Sequence, residues 1–151
     1  MARILVVDDN DDVRQLVSTV LTQEGHKVAS ASEGRSALAT MRANPPDIVI
    51  LDIMMPETDG YTVLKTMVAE GLKRRIKVLV LTAKSDEADW LRGYRAGADH
   101  YVTKPFTMHE LLKGLKEIQR MTLDQLRQRR EGELERAKLL SKLESSFGDL
   151  I

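Results

Sequence analysis

The sequence predicts an α/β fold in which five βα units build a doubly wound parallel sheet. Three short apolar runs, residues 4–7, 48–51 and 78–81, do not alternate apolar with polar side chains. That pattern is typical of strands that are covered on both faces. Two more polar stretches, residues 27–31 and 99–102, suit strands at the edges of the sheet. A helical pattern follows each run, and strict alternation favours right-handed crossovers within one parallel sheet.

Each of the five predicted helices has a boundary signal of its own. Gly25 follows the first helix, two consecutive prolines end the second, and the third ends near Gly71. Ser85 can cap the fourth, and Thr107 with Glu110 forms a capping box for the fifth. The apolar positions that recur at helical spacing are Val13, Leu16, Val17, Val20 and Leu21, then Ala37, Leu38 and Met41, then Val63, Leu64, Met67 and Val68, then Ala88, Leu91 and Tyr94, and last Leu111, Leu112 and Leu115.

The last thirty or so residues differ from the rest of the chain. Residues 127–138 are mostly charged, and a 3-4-3 spacing typical of a short coiled-coil seam then joins Leu140, Leu143, Phe147 and Leu150. We predict a globular domain over residues 1–121 and a helical linker over residues 122–151. The fifth helix should run on past Met121 as one exposed helix that pairs with a second copy of the chain. Because the chain stops in an apolar stretch, we expect this linker to precede an output domain.

The composition excludes several classes of protein. Basic and acidic residues number 23 each, so a globally basic surface for nucleic acid is not expected. The absence of cysteine excludes disulfides, zinc–thiolate sites and thiol catalysis. No apolar run approaches the roughly 20 residues of a membrane span, and no signal peptide precedes the first strand pattern. We therefore expect a cytoplasmic protein that contacts neither nucleic acid nor membrane in this segment.

The predicted strands end in residues that suit phosphoryl chemistry. Asp8 and Asp9 follow the first strand, Asp52 ends the third, Thr82 ends the fourth, and Lys104 comes just after the fifth. Sites in parallel α/β sheets lie outside the carboxyl ends of the strands, so these groups should converge on one rim. Three ionised carboxylates repel one another unless a cation joins them, and all-oxygen ligands favour Mg²⁺ or Mn²⁺. The set suits a phosphoryl group, with one carboxylate as the nucleophile.

These residues and their surroundings resemble the receiver domains of two-component response regulators. The resemblance extends from residue 3 to about residue 118 and implies the strand order 2-1-3-4-5. It rests on five motifs in matching order, namely VDDN at 7–10, LDIMMPETDG at 51–60, LTA at 81–83, GAD at 97–99 and YVTKPF at 101–106.

The resemblance implies roles for the residues of the acidic rim. Asp52 is expected to accept the phosphoryl group from a sensor histidine kinase or a phosphotransfer protein. Asp9, Asp52 and the main-chain carbonyl of Met54 would bind Mg²⁺ directly, with Asp8 acting through water. Lys104 would pair with the phosphoryl oxygens.

The resemblance also implies a switch and a control of its lifetime. Thr82 would move to hydrogen-bond the phosphoryl group while Tyr101 swings inward, and the peptide bond before Pro105 would be cis. Met54 and Lys84 stand where side chains govern the approach of water to the aspartyl phosphate. Because a thioether cannot position water as an amide can, we expect slow dephosphorylation.

A dimer interface is a further expectation. Receivers often dimerise through the fourth helix, fifth strand and fifth helix. Trp90 lies off the apolar stripe of the fourth helix, which suits either an interface anchor or partial packing against a neighbouring loop. Trp90, Arg95 and His100 depart from the charge pattern of receivers attached to winged-helix DNA-binding domains, which argues against a dimer of that type. The three histidines are interpreted as surface residues.

Alternatives remain open at this point. An aspartyl-phosphate phosphohydrolase needs a second aspartate two residues after its nucleophile, but Met54 follows Asp52 and Asn10 follows Asp8 at that spacing. A vestigial receiver that serves only as a coiled-coil dimeriser would not need the intact rim. Residues 147–151 resemble the entry to the AAA+ ATPase domain of enhancer-binding transcription activators, although linkers to nucleotide-cyclase or histidine-kinase domains look similar.

Overall fold

A computed structural model describes residues 1–55, 59–83 and 87–147, with the backbone alone at residues 87–90. The elements in chain order are β1 (Arg3–Val7), α1 (Asp11–Gln23), β2 (Lys27–Ala31), α2 (Gly34–Ala43), β3 (Ile48–Asp52), α3 (Gly60–Ala69), a 3₁₀ turn (Leu72–Arg74), β4 (Lys77–Thr82), α4 (Glu87–Ala96), β5 (His100–Thr103), α5 (Met108–Arg120) and α6 (Leu123–Phe147). The predicted fourth-helix cap, Ser85, lies outside the described residues.

The five strands form one parallel sheet in the order β2-β1-β3-β4-β5, which confirms the predicted fold class and both edge strands. Helices α2, α3 and α4 pack on one face, and α1 and α5 pack on the other. Every residue of β3 is buried. Its unbroken apolar run therefore reflects a central strand with a core on each side. None of the described helices combines the length and the apolar character that crossing a bilayer requires.

The fifth helix does not run on past Met121, so that prediction is wrong. Met121 has an extended backbone with φ −95° and ψ 141°, and α6 begins as a separate helix. The side chain of Gln125 accepts a hydrogen bond from the Thr122 amide at 2.9 Å, and the Thr122 hydroxyl accepts one from the Gln125 amide at 3.0 Å. This reciprocal capping box stabilises a new helix start, and its T-x-x-Q pattern was readable in the sequence.

The two halves of α6 have different surroundings. Leu126 is fully buried and joins the core cluster of α1 and α5. From Lys138 to Phe147 every residue is exposed. The prediction of one exposed helix therefore holds for the second half alone, since the first half packs against the domain.

Candidate functional site

The carboxyl ends of the central strands bring two buried carboxylates and an amine together. The Nζ atom of Lys104 lies 3.1 Å from Oδ2 of Asp8 and 3.4 Å from Oδ2 of Asp52. Asp8 and Asp52 are 0% and 2% exposed. The other oxygen of Asp52 accepts a hydrogen bond from the Met54 amide at 3.1 Å. One oxygen of Asp52 thus faces the lysine while the other is fixed by the loop that follows β3.

The acidic cluster fits a divalent cation. One carboxylate oxygen from each of Asp8, Asp9 and Asp52 lies within 4.8 Å of the others. Lys104 supplies one positive charge, which neutralises only part of the charge of three ionised carboxylates. An all-oxygen donor set of this kind matches the ligand preference of Mg²⁺ and Mn²⁺.

The electrostatics of Asp52 agree with this interpretation. Burial raises the pKa of Asp52 to about 7, and the negative charge of Asp8 adds to the effect, while Lys104 opposes it. For Lys104, burial by itself lowers the pKa, but the hydrogen bond to Asp8 and the charges of Asp8 and Asp52 outweigh it and raise the pKa overall. Lys104 therefore stays charged. The negative charge of Asp52 is buried, and Lys104 compensates it only in part.

Local structure around the cluster aligns its residues. Asn10 caps α1 by accepting from the Val13 amide at 3.1 Å, and its own amide donates to Asp8 at 2.9 Å. Gly60 begins α3 directly against the end of β3. A Cβ there would lie 2.7 Å from the main-chain oxygen of Asp52, so only glycine allows this close approach.

The predicted switch residues lie on neighbouring strands. Thr82 ends β4 and is 1% exposed. Tyr101, on β5, is half-buried, and its ring packs edge-on against Tyr94 of α4 with centroids 5.2 Å apart. The ring fills space next to Gly93. The Lys104–Pro105 peptide bond is cis, as the resemblance implies.

The remaining predicted site residues are placed as follows. The Met54 side chain is 56% exposed next to the acidic cluster. Lys84, the side chain of Trp90, and Leu150 lie outside the described residues. Along α6, Leu140, Leu143 and Phe147 are exposed and contact nothing that would cover them in the described part of the chain.

Asp99 is a buried charged residue whose importance the sequence did not reveal. It is 0% exposed and its carboxylate pairs with Lys73 at 2.7 Å and with Arg130 of α6. The signals available were its place in the GAD motif and the charged run of α6, neither of which identifies a partner. His100 is likewise half-buried beside Glu117, so its interpretation as a surface residue is wrong.

An apolar groove adjoins the acidic cluster. It has a volume of about 510 Å³ and is lined by α1, the segment after β5 and the start of α5, including Leu16, Pro105 and Phe106. Lys104 forms part of its wall. Leu16 was predicted on the apolar stripe of α1 but is 55% exposed. It therefore offers apolar surface next to the acidic cluster instead of filling the core.

The fold and this rim define a receiver-type α/β domain, and comparison with known families agrees. Residues 4–116 match the response regulator receiver domain. The match covers most of the chain, so the protein belongs to the response regulator receiver family of two-component signalling.

Two curated relatives illustrate the similarity. The chain is 40% identical over 119 residues to the probable transcriptional regulatory protein TcrX of Mycobacterium tuberculosis, covering 79% of this chain and 50% of TcrX. It is 39% identical over 118 residues to the phosphate regulon transcriptional regulatory protein PhoB of Escherichia coli, covering 78% and 52%. The chain thus spans about half the length of the curated relatives it matches.

Solved structures show the same fold. The chemotaxis response regulator CheY4 of Vibrio cholerae gives a TM-score of 0.75 at 33% identity, covering 78% of this chain and 98% of that one. The BeF3-activated DrrB receiver domain gives a TM-score of 0.71 at 33% identity, covering 80% and 99%.

Proposed function

We propose that this protein is a phospho-switch in which Asp52 accepts a phosphoryl group from a sensor histidine kinase or a phosphotransfer protein. The observation that carries the proposal is the burial of Asp52 beside Asp8 and Lys104, at the carboxyl ends of the strands. An oxygen of Asp52 attacks phosphorus, a P–O bond forms, and the bond from phosphorus to the donor's nitrogen breaks.

The residues around Asp52 position and neutralise the reacting groups. Bound Mg²⁺ would be held by Asp8, Asp9, Asp52 and the Met54 carbonyl, and would stabilise the negative charge of the transferred group. The Lys104 ammonium group already faces the Asp52 oxygen that reacts, so a phosphoryl group formed there comes within its reach. The Met54 amide keeps one oxygen of Asp52 in place, which leaves the other to react.

The switch couples this site to β5. In the phosphorylated form, Thr82 hydrogen-bonds the phosphoryl group. Tyr101 then takes the inward position, in which its ring packs against α4. The half-buried position of Tyr101 beside Gly93 supports this step, since the fold provides a fitted space for the ring.

The groove beside Lys104 is the proposed docking surface of the phosphodonor. A contiguous apolar groove bordered by polar groups is typical of an interaction site, and Leu16 borders the rim where the phosphoryl group must arrive. A kinase that uses ATP supplies the phosphoryl group, so we propose that the reaction occurs in the cytoplasm. By analogy with TcrX and PhoB, which are named as transcriptional regulators, we propose that the output is transcriptional.

The second half of α6 is the proposed contact between two copies. Leu139, Leu140, Leu143 and Phe147 are each 44–58% exposed on a ten-residue stretch beyond the domain. A second copy of this helix would bury them as a coiled-coil seam. Sedimentation equilibrium of the full chain and of a chain ending at residue 137 tests this: the full chain should dimerise and the shorter one should not. Two monomers at tens of micromolar, phosphorylated or not, would refute the contact.

Mass spectrometry after incubation with acetyl phosphate and Mg²⁺ tests the phosphorylation. The full chain should carry a single stable phosphoryl group, and Asp52→Asn should carry none. Asp12→Asn, an exposed aspartate on α1, is the matched control and should be labelled normally. Robust labelling of Asp52→Asn at another residue would refute the assignment. Continuous turnover would indicate a phosphohydrolase instead, and no reaction a vestigial receiver.

A further inference from the structure

The first half of α6 packs where α4 leads into β5, at one end of the surface formed by α4, β5 and α5, called here the α4–β5–α5 face. Arg129 donates to the carboxylate of Glu117 on α5 at 2.8 Å and to the main-chain oxygen of Asp99 at 2.7 Å. Arg130 pairs with the buried carboxylate of Asp99. Together with the burial of Leu126, these contacts bind this half-helix to the domain of its own chain by both ionic and apolar interactions.

The Asp99 carboxylate also has partners inside the domain. Its Oδ2 atom accepts hydrogen bonds from Lys73 at 2.7 Å and from the Val78 amide at 2.8 Å, whereas Arg130 approaches Oδ1. Lys73 therefore balances the charge of Asp99 even when α6 is absent. The contribution of Arg130 is to bind the helix, and its removal leaves the buried pair intact.

Tyr94 connects this contact to the switch. Its ring touches the ring of Tyr101 at an interplanar angle of 78°. Tyr94 also lines a cleft between α4 and α6, together with Leu123, Arg130 and Leu134 of α6. Tyr94 thus contacts the switch residue and also borders the cleft that α6 lines.

We propose that residues 123–134 of α6 form an intramolecular latch on the α4–β5–α5 face, and that the latch is closed when Tyr101 is packed against α4. Each arrangement supports the other, because withdrawal of Tyr101 removes the edge-to-face partner of Tyr94 and leaves a void beside Gly93.

The coupling to phosphorylation rests on the proposed function, in which Tyr101 swings inward when Asp52 is phosphorylated. Phosphorylation therefore tightens the latch. By thermodynamic reciprocity, a tighter latch also favours the inward position of Tyr101. Docking of the first half of α6 then depends on whether Asp52 is phosphorylated. The second half continues the same helix, so its position depends on that docking as well.

Hydrogen exchange of residues 123–134, measured by mass spectrometry on the full chain, tests the latch. Arg130→Gln and Tyr101→Ala should each speed exchange there by about tenfold, the usual effect of losing a charged hydrogen bond or a packed ring. Arg136→Gln, at an exposed arginine further along α6, is the matched control and should leave exchange unchanged. Unchanged protection of β1 and α1 verifies folding of each variant.

Each result decides one part of the proposal. Unchanged exchange in Arg130→Gln overturns the latch, and unchanged exchange in Tyr101→Ala overturns its link to the switch. Beryllofluoride with Mg²⁺, a phosphoryl mimic, should slow exchange of residues 123–134 in the parent chain. A parent chain that is labelled at Asp52 but shows no slowing overturns the coupling to phosphorylation. Absence of labelling at Asp52 refutes the proposed function instead. The latch is then tested by the exchange rates of Arg130→Gln and Tyr101→Ala alone.

The absence of native cysteine allows a direct test that the latch is intramolecular. Spin labels at Lys113→Cys on α5 and Ser141→Cys on α6 occupy exposed positions outside the latch residues 123–134. The doubly labelled chain, diluted with an excess of unlabelled chain, should keep one narrow distance distribution. Loss of that distance on dilution would show that α6 docks on a second copy, which overturns the intramolecular assignment.

Discussion

The phenol ring of Tyr101 occupies the space that a side chain at Gly93 would need. A Cβ at position 93 would coincide with the Tyr101 hydroxyl. Gly93 lies in the middle of α4, where glycine normally weakens a helix by roughly 1 kcal/mol relative to alanine. The glycine at position 93 is therefore best explained by the space that it leaves for the Tyr101 side chain.

Gly93→Ala should displace Tyr101 from α4. We expect a loss of about 1–3 kcal/mol in the free energy of unfolding, the usual cost of overpacking, together with loss of the nuclear Overhauser contacts between the rings of Tyr101 and Tyr94. Gly132→Ala in α6 is the control, because nothing lies near a Cβ there, and it should be neutral or slightly stabilising. In Tyr101→Ala the same Gly93→Ala change should cost much less. Equal costs in both backgrounds would contradict the fitted space at Gly93.

Met54→Asn should shorten the lifetime of the phosphorylated form. Met54 is exposed beside Asp52, and its thioether cannot orient an attacking water as an amide can. We expect the hydrolysis rate to rise by about tenfold, which corresponds to ~1.4 kcal/mol of barrier. Met54→Leu, apolar and of similar size, should hydrolyse at the parent rate. A rate in Met54→Asn that is equal to or slower than the parent would refute the argument.

His100 should make the fold less stable in mild acid. Burial lowers the pKa of His100 below its ordinary 6.5, Glu117 opposes this, and Arg129 adds to it. The unfolded chain then binds the proton more readily than the folded one, so this contribution is present above about pH 6.5 and is lost as the pH falls through the folded pKa. His100→Gln should flatten that decline in the free energy of unfolding.

The effect of His100 must be taken as the difference in unfolding free energy between His100→Gln and the parent at each pH. Asp52 has a raised pKa, so its contribution has the opposite sign and grows as the pH falls below about 7. His109→Gln, at an exposed position, is the control and should follow the parent. If His100→Gln and the parent show parallel pH profiles between pH 7 and 5, burial of a neutral imidazole is not a source of acid sensitivity.

Leu126 belongs to the core of the domain although it lies in the predicted linker, so its truncation should destabilise the fold. Leu126→Ala should cost about 2–5 kcal/mol of unfolding free energy because it leaves a cavity between α6 and the core. Leu139→Ala, at a site 58% exposed, should stay within about 0.5 kcal/mol of the parent. A chain ending at residue 121 should be correspondingly less stable than one ending at residue 137. Equal stability of those two chains would show that α6 contributes nothing to the fold.

The strands and the acidic rim were predictable because their signals are local. β1, β3 and β4 appear as unbroken apolar runs, since a strand that is buried on both faces has no polar side to show. Their ends bring Asp8, Asp52 and Thr82 to one edge whatever the details of packing, because parallel strands share a direction. The placing of Lys104 follows from the same rule.

The sequence by itself thus determined the sheet, its order once the receiver motifs were recognised, and the residues of the rim. Only the tertiary structure decided where α6 goes and what it touches. Arg130 in a run of mixed charges looks the same whether it faces water or Asp99, which lies 31 residues away along the chain. The Thr122–Gln125 cap marks the helix start but not its direction. Leu16 lies on the predicted apolar stripe of α1, and Leu126 lies in the predicted linker. Which of the two is buried depends on the neighbouring elements that cover it, and that is a non-local property of the packed domain.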